Sequence, residues 1–149
     1  VIGHGSRFSR RLDELPENVR VLEHDLSPRS QFEVLRDARV VVIPILKSAI
    51  VSAGISTSLK AMLLGECIVG THGPGFSDLF EREVLIVEAE NSEALAKMIE
   101  QAWTNDALRE STGQAAWEYA GSLGGTHEFY QRVIETVRIW EQEHAGKSR

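Results

Sequence analysis

The run Val40-Val41-Val42-Ile43, four consecutive apolar residues stopped by Pro44, constrains the fold more than any other part of the chain. A strand with one wet face alternates apolar and polar residues. An uninterrupted β-branched run is the pattern of a central parallel strand covered on both faces, and a proline at its end cannot continue the ladder. Similar short apolar runs recur at Val1-Ile2, Val19 to Leu22, Cys67 to Gly70 and Val84 to Val87. Segments long enough for a helix or a helical turn separate them, which predicts βαβ crossovers and a parallel, doubly wound α/β sheet of about four or five strands flanked by helices.

The intervening segments carry helix signals. Ser27-Pro28 pairs an N-cap residue with a first-position proline ahead of Phe32 and Leu35, and Ala38-Arg39 closes that helix. Gly54 to Leu64 reads as a helix ended by Gly65. Thr71-His72-Gly73-Pro74-Gly75 is turn chemistry, followed by a helical turn over Ser77 to Phe80. From Asn91 or Ser92 onward the chain is helical. Leu95, Met98, Ile99, Ala102 and Trp103 form one stripe. Asp106 to Ala120 is a second helix, and Thr126 to about Glu143 a third with Phe129, Val133, Val137 and Trp140 along its face. Trp103, Trp117 and Trp140 read as core, or as a face for another domain, rather than as a platform for a sugar ring.

At 149 residues the chain is one ordinary domain in size. Its formal net charge of −6 argues against a nucleic-acid surface, which needs concentrated Lys and Arg. The longest apolar run, Val40 to Ala49, is interrupted by Pro44 and Lys47 and falls far short of the roughly 20 residues of a spanning helix, so membrane association is expected to be peripheral at most. The single cysteine, Cys67, lies in an apolar run and reads as a buried thiol in a reducing, cytoplasmic setting. The chain starts at Val1 on what reads as the end of a strand, so the domain is expected to be truncated at its N-terminal edge.

Ligands of open parallel sheets bind at the carboxyl ends of the strands, which directs attention to the loops after Ile2, Leu22, Ile43 and Gly70. After Ile43 comes Ser52-Ala53-Gly54-Ile55-Ser56-Thr57-Ser58-Leu59-Lys60. A glycine followed by small hydroxyl residues at a helix start leaves backbone N–H groups accessible, and the helix dipole favours an anion there. Ser56 and Thr57 can add hydroxyl donors, and Lys60 follows one turn later. The plainer reading makes Ser56 a cap and Lys60 a solvated side chain. Gly3-His4-Gly5-Ser6-Arg7 is a second glycine-containing loop and also resembles half of a dinucleotide fingerprint, with Glu23 suitably placed, although Phe8 stands where the third glycine belongs. His4, His24, His72, His127 and His144 have no metal-ligand spacing, and no serine sits in a nucleophile elbow. His72, after a strand, can face a ligand, but beside Gly-Pro-Gly it reads more readily as structural or solvated.

The passage from Asp37-Ala38-Arg39 through Val40 to Pro44, Lys60-Ala61-Met62-Leu63-Leu64-Gly65 and Gly73-Pro74-Gly75 resembles the donor domain of retaining GT-B glycosyltransferases of the group 1 type. In that family an apolar strand ends in proline, a glycine loop follows, and a helix reading Glu-Ala-Met-x-x-Gly leads to the next strand. The resemblance resumes in Val84 to Val87, Asn91 to Leu95 and Asp106 to Arg109, so most of the chain is covered. It implies a Rossmann-like half of a GT-B fold. The implied ligand is a nucleotide-sugar substrate, with no separate cofactor, held by Gly5, Arg7, Ser52, Gly54, Ile55, Ser56, Thr57 and Lys60. An acceptor-binding domain outside this chain is implied as well, so the chain alone is expected to transfer no sugar. The family often carries two glutamates with seven residues between them in this segment, and Ser52 and Lys60 stand there instead. The alternatives to a sugar-nucleotide site are a dinucleotide-binding oxidoreductase domain and a noncatalytic partner-binding domain of the same fold.

Overall fold

A computed structural model describes residues 15–22, 27–47, 54–74 and 76–145. The chain divides into two compact units, Val1–Glu33 and Val34–Arg149.

In the first unit the amide of Val19 donates to the Pro16 carbonyl at 2.8 Å, closing a turn. This corrects the expectation of a strand over Val19 to Leu22. Local turn formation at Pro16 captures the start of the segment, and only Leu22 makes a bridge. The helix α1 (Pro28–Arg36) begins here, and Ser27 caps it as expected, its hydroxyl accepting from the Ser30 amide at 3.1 Å.

The second unit holds three short strands, β1 (Val41–Ile43), β2 (Ile68–Thr71) and β3 (Leu85–Val87), all parallel in the order β1-β2-β3. Among the described residues the sheet has these three strands, and the Val1-Ile2 run lies outside them. The helix α2 (Ile55–Leu63) joins β1 to β2, and α3 (Ser92–Thr104), α4 (Asp106–Ser122) and α5 (Thr126–His144) follow β3.

Successive residues of β2 serve two different cores. Ile68 packs with Leu35, Val41, Ile43, Met62, Phe76 and Phe80. Val69 packs with Cys67 and Ala102, supported by Leu95, Met98 and Ile99. Both faces of the strand are therefore covered, which is why its sequence shows no polar alternation.

Helix boundaries follow from local chemistry. Asn91 and Asn105 cap α3 and α4, each side chain accepting from an amide three residues on at 3.0 Å. At the end of α2, Gly65 takes φ 73°. Its amide reaches Met62 and that of Glu66 reaches Ala61, closing a Schellman motif. The carbonyl of Gly65 lies where a Cβ on Gly113 would fall, so α4 approaches α2 more closely than any side chain there would permit.

The tryptophans are not core residues. Trp103, Trp117 and Trp140 are 55%, 55% and 59% exposed. Trp103 leaves its predicted stripe: the indole lies at the surface, where the guanidinium of Arg39 is 5.3 Å from its ring centroid in a cation–π contact. Phe129, Val133, Val137 and Trp140 of α5 also form an exposed face.

Candidate functional site

The site grows from the end of β1. Pro44 has no N–H, so the backbone ladder cannot continue along β2. A side chain takes over. The Ile45 amide donates to Oγ1 of Thr71 at 2.6 Å, and the same hydroxyl donates to the Ile45 carbonyl at 2.6 Å. A hydroxyl has one proton and two lone pairs, so a single buried threonine at the end of β2 satisfies both backbone groups. The loop after β1 is thereby clasped to β2.

Ile45 then fills the space that three elements leave. A Cβ added to Gly54 would stand 2.6 Å from Cγ2 of Ile43 and 2.9 Å from Cδ1 of Ile45, and one on Gly73 would overlap the Ile45 side chain. Phe76 occupies the neighbouring position, 2.6 Å from a Cβ built on Gly70, and meets Phe80 edge-on at 5.2 Å. Three glycines thus let the loop after β1, the start of α2 and the turn after β2 close on one another at the carboxyl end of the sheet.

The helix α2 starts from this junction. Gly54 is its N-cap with φ 78°, and it offers no capping side chain. The first helical bond runs from the Ser58 amide to the Gly54 carbonyl at 2.9 Å, and the buried Ser58 hydroxyl bonds the same carbonyl at 3.0 Å. Helix geometry gives the amides of the first turn no acceptor within the helix, and the dipole places partial positive charge there. Ser58, Ala61 and Met62 face the core. Ser56 and Thr57 are exposed and Lys60 half-buried. Spacings of three and four residues put these on one stripe, and the Cα–Cβ bond of Lys60 tilts toward the start of the helix.

Of the residues expected at a ligand, Gly54, Ile55, Ser56 and Thr57 lie together on this one helix start, and Lys60 lies in the last turn of the same helix. Gly5, Arg7 and Ser52 lie outside the described residues, as do His4 and Glu23 of the dinucleotide reading. The side chain of His72 is exposed, with Nε2 3.9 Å from Glu88. Its amide extends the sheet by donating to Val87 at 2.8 Å. The sequence reading missed Thr71 by ending the strand at Gly70. The available signal was a β-branched hydroxyl residue directly after a buried run and opposite a proline-terminated strand.

Other polar groups serve the fold. Arg39 and Arg109 converge on Asp106 and on the last carbonyls of α3. They cap the negative end of that helix and hold the Asp106 carboxyl below the usual aspartate range, chiefly through its bond to Arg109. Burial pushes the Glu66 carboxyl up and the Cys67 thiol to about 11. An open groove of about 680 Å³ lies between α4 and α5, lined by Leu123, Glu128, Arg132, Ile134 and Arg138. It is remote in sequence from the strand ends, and Arg132 is already bonded to the Leu123 carbonyl. Among the described residues no group of three or more His, Cys, Asp or Glu side chains is placed to hold a metal ion. No described helix is long and apolar enough to cross a membrane.

A family model described as glycosyl transferases group 1 matches residues 1–105, which takes in β1 to β3, α2 and α3. Comparison with curated proteins finds no match.

Proposed function

The chain belongs to the glycosyl transferases group 1 family, and we propose that it is the donor-binding domain of a retaining GT-B enzyme that transfers a sugar from a nucleotide-sugar to an acceptor. The observation that carries this reading is the start of α2. Its first-turn amides and two exposed hydroxyl residues, Ser56 and Thr57, open the helix that follows a parallel strand, and Lys60 stands further along the same helix. Parallel α/β sheets take their ligands at the carboxyl ends of their strands.

The chemistry follows from charge. When the bond between sugar and diphosphate breaks, negative charge develops on the departing nucleoside diphosphate. Fixed N–H dipoles at a helix N-terminus favour that charge without rearranging, and an ammonium group that reaches the phosphates adds to the effect. Gly54 lets the helix start close on Ile43 and Ile45, Ile55 to Thr57 present amides, and Ser56 and Thr57 add hydroxyl donors. Lys60 stands where the family often has a carboxylate, and an ammonium pairs with phosphate rather than accepting ribose hydroxyl protons. The resemblance adds Ser52 to the proposed ligand set. In this reading the acceptor domain lies outside this chain, the isolated domain binds donor without turning it over, and the enzyme works in the cytoplasm with at most peripheral membrane contact.

Isothermal calorimetry of the chain against UDP, GDP, ADP and NAD tests the proposal. Binding of a nucleoside diphosphate with little affinity for its nucleoside supports it. Preference for NAD would assign the domain to dinucleotide chemistry, and silence toward all four would leave a noncatalytic, partner-binding domain of the fold.

A further inference from the structure

We propose that Thr71 is a positioning residue that holds the start of α2 in its anion-binding geometry by clasping the backbone of Ile45. The inference rests on the donor-binding reading and adds to it a residue that itself need not touch the donor.

Thr71 is 4% exposed at the last position of β2. At such a place valine has nearly the same shape and no polar atom to satisfy. The hydroxyl is used twice, on the amide and on the carbonyl of Ile45, at 2.6 Å each. Those are the first backbone groups after the proline that ends the β1 ladder. Without the hydroxyl both are left in a buried position with no partner, and the segment gains by turning toward water.

That movement has a specific consequence. Ile45 is the side chain against which Gly73 closes and, beside Ile43, one of the two that press most closely on Gly54. Once Ile45 withdraws, the N-cap of α2 keeps Ile43 but loses one side of the surface that fixes its left-handed backbone and the direction of the following amides. Anion binding by backbone dipoles depends on that direction being set in advance. Thr71 therefore acts on the diphosphate through two contacts, Thr71 to Ile45 and Ile45 to Gly54.

The test uses the whole 149-residue chain, UDP and GDP as probes with uridine and guanosine as their controls, and a temperature at which every variant is folded. Thr71→Val is expected to weaken diphosphate binding by about tenfold, roughly 1.4 kcal/mol. Weak nucleoside binding should not change. Thr71→Ser, which keeps the hydroxyl, should stay within about threefold of the parent. Met98→Ala, which opens the core on the opposite face of the sheet, should lower stability and leave affinity alone. Hydrogen exchange at the Ile45 amide should accelerate in Thr71→Val and not in Met98→Ala. Unchanged diphosphate affinity in Thr71→Val, with faster exchange at Ile45, overturns the positioning role while donor binding stands. If the parent binds none of the probes, the donor-binding reading fails and this inference with it. Should Thr71→Val not fold, Ile45→Ala works the same lever from its other end, and parental affinity there overturns the proposal.

Discussion

A Cβ placed on Gly54 would stand 2.6 Å from Cγ2 of Ile43, so the first residue of the α2 cap lies closer to the end of β1 than any other amino acid permits. The backbone there also has φ 78°, a region that side chains rarely enter. Gly54→Ala is therefore expected to destabilise the chain by about 2–3 kcal/mol, combining left-handed strain with displacement of Ile43 and Ile45. Gly121→Ala is the control. It lies inside α4, where an added Cβ meets nothing within 4 Å, and should raise stability by about 0.5–1 kcal/mol. Urea unfolding of the two variants beside the parent checks both signs.

Cys67 is expected to be chemically silent in the native chain. It is 2% exposed, and burial raises its thiol to about 11 against a smaller opposing pull from Arg109. The thiolate is the nucleophile, so an aromatic disulfide reagent at pH 8 meets almost none of it. One thiol per chain should react promptly in denaturant and scarcely at all without it. Prompt labelling of the folded chain would show that the β2 face against α3 opens easily.

Asp106 gives stability a definite pH dependence. Its folded carboxyl titrates below the ordinary 3.8, first because of its hydrogen bond to Arg109 and then through the charges of Arg109 and Arg39. A depressed carboxylate pKa favours the folded state above the unfolded pKa, and that contribution disappears as pH falls through the lower folded value. Asp106→Asn should therefore melt below the parent at pH 7, and the difference should close below pH 3.8. The carboxyl is fully exposed, so the difference should be small and should shrink further in high salt.

The three described strands are legible as apolar runs, but β2 alone among them is buried throughout: Val42 of β1 is 37% exposed and β3 is half-buried, so the covered central strand expected at Val40 to Ile43 is β2 instead, while the caps of α1 and α3 are legible because Ser27 and Asn91 announce themselves locally. The residues of the α2 start were likewise visible as a glycine followed by hydroxyls between two apolar runs. What pattern could not supply was tertiary. Thr71 looks like the first residue of a turn until the chain brings it beside Ile45, 26 positions away. Gly54 reads as a helix opening, Gly70 as a strand end and Gly73 as part of a turn, whereas the structure uses all three for close approach by Ile43, Ile45 and Phe76. Val19 to Leu22 failed for the opposite reason, since strand propensity there yields to the turn at Pro16. Trp103 has the spacing of a core residue, but its partner is a cation from the lead-in to β1, and helical periodicity carries no information about that.

Lys60 offers the sharpest separation between a phosphate ligand and a solvated helix residue. It lies half-buried on the same stripe of α2 as Ser56 and Thr57, in the half of the helix away from the dipole's positive end. Reach, rather than the helix dipole, must therefore bring its ammonium to the phosphates. Lys60→Ala is expected to remove a charge-assisted contact of about 1.5–3 kcal/mol, weakening UDP or GDP by roughly ten- to a hundredfold. Urea unfolding of the same variant separates any cost to the fold from the loss of affinity. Lys60→Glu sharpens the comparison, because the carboxylate repels phosphate yet accepts ribose hydroxyl protons. Diphosphate affinity should fall further than in Lys60→Ala, while nucleoside affinity should hold or rise. Calorimetry of UDP against uridine, and of GDP against guanosine, reads the two effects apart. If the diphosphate keeps its full advantage over the nucleoside in both variants, Lys60 does not touch the phosphates, and the helix start binds them through its amides and hydroxyls alone.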